Sequence, residues 1–271
     1  MSYKQIVALA RDNSSFDEFE LIELRKQFPT YFYRSDVPNN SLVIGRYSVL
    51  PYYSELETDL SRKNSVLINS RQQHEFISKF QYYEHLEQFT FKTYFDYNFY
   101  LAPEGQYVVK GETNSKKFSW NKEMFAANKR RATEIAALLK NDGQICDQSI
   151  LYRQYVPLET FEIGLNGIRF TNEYRLFFYK DKMLCSGYYW SPAKDALKYH
   201  FRTLEPQMLS FAQQIANIIS NYVNFYVMDL AKTESGEWIL VELNDGQMSG
   251  LSMCDPALLY QNLGNELCKN I

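Results

Sequence analysis

The chain has 271 residues, 45% of them hydrophobic, and a formal net charge of −3. That length allows a large core in one complex domain or two to three subdomains, and so small a charge argues against a general polyanion binder and gives no support to nucleic acid as a partner. The four cysteines form no C-x-x-C pair and the three histidines are scattered, so neither a zinc centre nor a disulfide framework is expected and the chain reads as cytoplasmic.

The opening MSYKQIVALARDNSS carries charges inside any apolar run, so no signal peptide is expected. No stretch approaches ~20 uninterrupted apolar residues, so no membrane span is expected. Residues 1–95 read as an N-terminal α/β region. A short buried strand is predicted over 4–10. Ser14 and Ser15 cap a helix over 16–27, with Leu21, Ile22 and Leu24 apolar. A strand broken by Gly45 follows over 41–50, another over 65–69, and a helix over 71–83 through Phe76, Ile77 and Phe80. Arg46, Tyr47 and Arg71 are the polar residues to watch here, either as substrate contacts or as surface charge and strand packing.

Pro103-Glu104-Gly105 is a turn. A second subdomain is expected over 96–150 and a third over 151–271. Gln106–Lys110 reads as a strand ending on a lysine, before the polar loop GETNSKKFSW. Helical periodicity spans 121–141, with Asp142-Gly143 as the stop. Its Lys129-Arg130-Arg131 patch is a solvated face or a phosphate contact. A buried strand is predicted over 149–156. A hairpin over 171–179 and 182–190 turns at Lys180-Asp181 and places Glu173 and Arg175 on one face. A helix is predicted over 204–222, with Leu209, Phe211, Ile215, Ile218 and Ile219 as its apolar stripe. A last one spans 257–267.

Between those helices lies YVMDLAKTESGEWILVELNDGQMSGL, residues 226–251. It reads as two strands, 226–232 and 238–244, around the turn residues Thr233 to Gly236. With that loop, Lys232 faces Glu237 and Asp229 faces Leu240. Alternation then puts Asp229, Glu242 and Asn244 on one face, and Met228, Leu230, Ile239, Val241 and Leu243 on the opposite, apolar one. Two carboxylates on neighbouring strands repel unless a cation lies between them, and all-oxygen donors suit Mg²⁺ shared with substrate phosphates. A solvent-facing hairpin with ordinary surface acids is the alternative.

The stretch D-L-A…G-E-W-I-L-V-E-L-N resembles the metal-binding end of the ATP-grasp superfamily, in a divergent branch that includes the eukaryotic cell-division-cycle ATP-grasp assembly chaperone. The resemblance covers about residues 105–251. It implies an α+β fold in which two subdomains hold ATP, with Asp229, Glu242 and Asn244 as Mg²⁺ ligands. It further implies that Lys110 meets the α- and β-phosphates. Glu112, Asn114 and the rest of that loop lie near the phosphates. The loop lacks the Gly/Ser-rich wording of the peptide ligases, so Asn114, Ser115, Lys116 or Lys117 would meet the γ-phosphate through side chains. Arg153, Gln154, Tyr155 and Val156 lie along the adenine. Glu173 lies near the sugar, and Arg175 reaches the phosphates or an acceptor carboxylate; a cross-strand ion pair is the plainer reading of that pair. The activity implied is an ATP- and Mg-dependent ligase joining a carboxylate to an amine or thiol through an acyl phosphate, on a small molecule or a protein. The alternative is a non-catalytic ATP–Mg-binding assembly chaperone.

Overall fold

The computed structural model describes residues 3–11 and 18–269. The predicted Ser14-Ser15 cap lies outside them. The first helix is described over Glu18–Gln27, with Leu24 buried and Ile22 exposed rather than on an apolar face.

Four parallel strands form the first sheet, in the order Thr30–Tyr31, Gln5–Ala10, Ser41–Arg46 and Val66–Leu67. Val7 and Leu9 pack on one side against the Tyr53–Ser61 helix, and Ala8 and Ala10 on the other against the Pro256–Cys268 helix. A strand buried on both faces is why QIVALA reads as an unbroken apolar run. The strand over 41–50 is shorter than predicted: it runs through Gly45 and ends at Arg46. The helix over 71–83 also stops early, at Ser78, because Phe80 takes a left-handed φ of 57°.

The second sheet is antiparallel, in the order Thr93–Phe95, Ile150–Gln154, Tyr107–Gly111 and Phe125–Ala126. The single helix predicted over 121–141 is divided. Phe125–Ala126 pairs with Tyr107 and Val108 as an edge strand, and the helix restarts at Lys129. Asn128 is its N-cap, accepting the Arg131 N–H at 2.9 Å. Asn caps helices well and is poorly tolerated inside them, a signal that periodicity alone does not carry.

The third sheet is antiparallel, in the order Lys182–Tyr188, Glu173–Tyr179, Phe225–Lys232 and Trp238–Asp245. The 180–181 turn is as predicted, with Tyr179 opposite Lys182. The Pro206–Ile219 helix packs on the Leu176, Phe178, Met228 and Leu230 face through Met208, Ala212, Ile215 and Ile219, while Leu209 is exposed. Gly187 is required where it stands. A Cβ there would lie 2.4 Å from the Met253 and Cys254 backbone, which rides directly on the strand beside Arg175.

The register of the last strand pair differs from the predicted one by two residues at its polar end. Thr233 and Glu237 close a three-residue loop, with Gly236 at a φ of 91°, the pattern of a tight hairpin with one left-handed residue. Lys232 therefore faces Trp238. A bulge then sets Leu230 opposite Leu240 but Asp229 opposite Glu242. The extra residue is Val241. Leu240, not Ile239 or Val241, joins Leu230 in the core. The other face is apolar as well over half its length: Phe225 and Val227 are fully buried against the C-terminal helix and the first sheet. Beyond Val227 the same face turns polar.

Candidate active site

A cleft lies between the second and third sheets. Val108, Lys110, Ser115, Lys117, Trp120, Met124 and Arg153 to Val156 line one wall. Ile168, Arg169, Thr171, Glu173, Tyr189, Trp190, Asp229, Val241 and Glu242 line the other. Lys110 is the penultimate residue of the Tyr107–Gly111 strand, and its ammonium crosses the cleft to Glu242 at 3.0 Å.

Asp229 and Glu242 are directly paired, so their side chains leave the sheet on one face. The Arg175 guanidinium grips Asp229 with both arms, Nε to Oδ1 at 2.9 Å and Nη2 to Oδ2 at 2.8 Å. Its remaining arm donates to the Gly250 carbonyl. The Asn244 amide lies 3.4 Å from Asp229 Oδ2. Burial raises the Asp229 carboxyl above its ordinary value, with Arg175 opposing. Burial pushes Glu242 the same way, but Lys110, Arg153 and Arg175 together outweigh it and hold that carboxyl below its usual range.

Glu173 is the third acid. It accepts from Thr171 Oγ1 at 2.9 Å and Trp190 Nε1 at 3.0 Å. Burial, reinforced by the Asp229 charge, pushes its pKa up to about 8, so it is mostly neutral at pH 7.

Of the residues the sequence singled out, Lys110, Arg153 to Val156, Glu173, Asp229 and Glu242 line the cleft, and Arg175 and Asn244 stand behind its floor on Asp229. Glu112 faces Lys79 at 3.5 Å, and Asn114 is tied to Thr113 and Gln148; neither is on the wall. Arg153 points inward, donating to the Val241 carbonyl and Thr90 Oγ1. The Gln154 and Tyr155 N–H groups are bonded to the carbonyls of Lys92 and Gln106. Arg46 is a buried ion pair with Glu20, 3% exposed, and also donates to the Gly246 and Ser249 carbonyls, so it is not surface charge. Arg71 is on the surface with Glu75, Tyr47 is partly buried under Arg11, and Arg130 is exposed beside Glu134.

Thr171, Trp120 and Arg169 also line the cleft, and sequence reasoning does not single them out; Val241, expected on the apolar face, is turned into the cleft by the bulge. Thr171 is legible in retrospect, since it shares the odd-numbered face of Glu173 and Arg175. Trp120 and Arg169 carry no such signal, because a short helix and a two-stranded ribbon bring them to the cleft.

The profile of a family described as an ATP-grasp domain, the third family of its clade, matches residues 100–263, more than half of the chain. The chain belongs to the ATP-grasp family. The match contains the Lys110 strand, the Arg153 strand and both carboxylate strands of this ATP-grasp protein. No curated protein matches it significantly. Among solved structures, it is similar to the D-cycloserine synthetase DcsG at TM-score 0.62 and 13% identity, covering 97% of this chain and 99% of that one. It is similar to the D-alanine–D-alanine ligase of Bacillus anthracis, complexed with ATP, at TM-score 0.58 and 9% identity, covering 98% and 99%. It is also similar to the ATP-grasp ligase PsnB, complexed with a minimal precursor, Mg and ADP, at TM-score 0.57 and 10% identity, covering 95% and 96%. The α+β fold is that of the ATP-grasp proteins, a fold that binds ATP. Among the described residues no helix is long and apolar enough to cross a membrane.

Asp229, Glu242 and Asn244 fit a hard divalent cation. All three offer oxygens, and the two carboxylates face each other across paired strands. Among the described residues there is no cluster of three or more His, Cys, Asp or Glu side chains built to hold a metal. A cation here would therefore complete its shell with phosphate oxygens and water, as Mg²⁺ does.

Proposed function

We propose that this protein is an ATP- and Mg-dependent ligase that joins a carboxylate to an amine or thiol through an acyl phosphate. One observation supports this most: Lys110 from one sheet and the Asp229–Glu242 pair from the other converge on a single cleft. The apolar stretch of that cleft, with Val108, Trp120, Met124, Tyr155, Val156, Ile168 and Val241, suits adenine. With the Gln154 and Tyr155 amides engaged, the Val156 backbone is the segment that reads the base edge. Glu173, held by Thr171 and Trp190, takes the sugar.

Charge fits as well. Lys110, Lys117, Arg153 and Arg169 line the cleft and Arg175 stands behind it, facing the Asp229 and Glu242 carboxyls and a mostly neutral Glu173. The surplus is positive, as a polyphosphate requires. Mg²⁺, when bound, would neutralise negative charge that develops on the phosphates. The chain's own residues position and neutralise: Asp229, Glu242 and Asn244 would hold the metal, Lys110 would contact phosphate, and Arg175 fixes Asp229 in orientation. A substrate carboxylate oxygen attacks the γ-phosphorus and ADP leaves; the amine nitrogen then attacks the acyl carbon, phosphate leaves and a proton is lost. No protein nucleophile is needed.

The test is turnover with ATP, Mg²⁺ and pooled amino acids. Release of ADP and phosphate that depends on an added acceptor supports the ligase. Tight ATP binding with no release under any acceptor contradicts it and fits an assembly chaperone.

A further inference from the structure

Lys117 stands apart from the other buried cations of the cleft. Lys110 is taken by Glu242, Arg175 by Asp229, and Arg153 by Thr90 and a carbonyl, while Arg169 is exposed to solvent. The hydrogen-bond partner of Lys117 among the described residues is neutral: its ammonium donates to the Tyr189 hydroxyl at 2.7 Å and stands 4.7 Å from that ring's centre and 5.2 Å from that of Trp190. The phenol and the ring faces support this half-buried ammonium without neutralising its charge, and burial still lowers its pKa.

The loop that carries it has little else to offer an anion. Between 111 and 119 it holds one glycine. The Gly111 N–H is bonded to the Asn114 carbonyl, those of Thr113 and Asn114 to the Gln148 side chain, and that of Ser119 to the Lys116 carbonyl. Lys116 is turned away onto Asp142 at 2.5 Å. Four of the loop's N–H groups are thus already engaged, so its backbone offers a phosphate fewer donors than the open cradle of a glycine-rich loop. Lys117 instead reaches across to the third sheet, within electrostatic range of Glu173, Glu242 and Asp229.

We propose that Lys117 is a second phosphate anchor, resting on Tyr189 and Trp190 in the nucleotide-free protein and transferring to the phosphate chain of ATP when it binds. This rests on the ATP-binding reading above. A side chain thus supplements the loop amides, and the aromatic pair keeps the ammonium poised inside the cleft.

The experiment compares wild type, Lys117→Met and Lys117→Arg by calorimetric titration with ATP–Mg²⁺ and by thermal unfolding without nucleotide. The expected result is at least a tenfold loss of ATP affinity in Lys117→Met, recovery to within about threefold in Lys117→Arg, and no fall in melting temperature for nucleotide-free Lys117→Met. The dependence of ATP affinity on salt should also be shallower in Lys117→Met. Unchanged ATP affinity in Lys117→Met would overturn the assignment while leaving the ATP reading intact. So would a loss accompanied by a lower melting temperature and not recovered by arginine, which marks a purely structural latch. A wild-type protein that binds no ATP overturns both.

Discussion

Lys110 and Glu242 meet at 3.0 Å, and this one ion pair joins the second sheet to the third across the cleft. Each of the two paired carboxylates thus has its own cation, Lys110 for Glu242 and Arg175 for Asp229. Two acids facing each other on paired strands are tolerable in the nucleotide-free protein because of those partners.

That arrangement decides which substitutions are informative. Asp229→Ala would leave the 11% exposed Arg175 side chain without its carboxylate, at a cost of about 3–5 kcal/mol. Asp229→Asn keeps the shape and a hydrogen-bond acceptor. We predict that Asp229→Asn folds and loses Mg-dependent ATP affinity by roughly a hundredfold, about 2.7 kcal/mol. Titration calorimetry with and without Mg²⁺ checks it; wild-type affinity in Asp229→Asn would remove this residue from the metal site.

The bulge at Val241 makes a second prediction. Leu240 is fully buried opposite Leu230, whereas Val241 faces the cleft. Leu240→Ala should cost about 2–5 kcal/mol in denaturant unfolding. Val241→Ala should cost under about 1 kcal/mol and show its effect in nucleotide affinity. The reverse order would mean that the strand pair lacks the bulge.

Glu173 gives a pH dependence. Its folded pKa of about 8 stands above the ordinary 4.5. The folded state therefore binds this proton more tightly than the unfolded state does. The contribution is complete below about pH 4.5 and is lost as pH rises through about 8. Glu173→Gln, neutral at every pH, should remove that decline and raise the melting temperature of the nucleotide-free protein at a pH above about 8. An equal decline in both proteins would show that Glu173 is not its source.

Gly187 tests the support beneath Arg175. Gly187→Ala has no room for its methyl against the backbone of 253–254. It should destabilise the protein by about 1–3 kcal/mol and weaken ATP binding through displaced Arg175. Thermal unfolding and ATP titration of the same variant check both; a variant as stable as wild type would mean that the segment is not seated there.

The polar residues of this site are legible in the sequence for one reason. Strand alternation places Asp229, Glu242 and Asn244 on one face, and they stay together because the one-residue shift at the loop and the bulge add up to two, which preserves parity. The register itself is not legible: it depends on the left-handed Gly236 and on one bulged residue, which leave no pattern beyond a glycine in a turn. The division of the 121–141 helix is another case. Phe125 and Ala126 have helical spacing, but pairing with Tyr107 and Val108 prevails over local preference. Arg46 shows a third limit. An arginine at a strand's end looks like surface charge until Glu20, Tyr260 and two carbonyls gather around it from distant segments.

The central claim is that Asp229 and Glu242 hold a nucleotide-borne divalent cation in reach of Lys110. A crystal structure with a non-hydrolysable ATP analogue and Mn²⁺, whose anomalous signal locates the metal, tests it directly. The account predicts a peak within coordination distance, about 2–2.3 Å, of oxygens from both carboxylates and the phosphate chain against the Lys110 ammonium. A metal bound elsewhere, or a nucleotide lying outside this cleft, would contradict it.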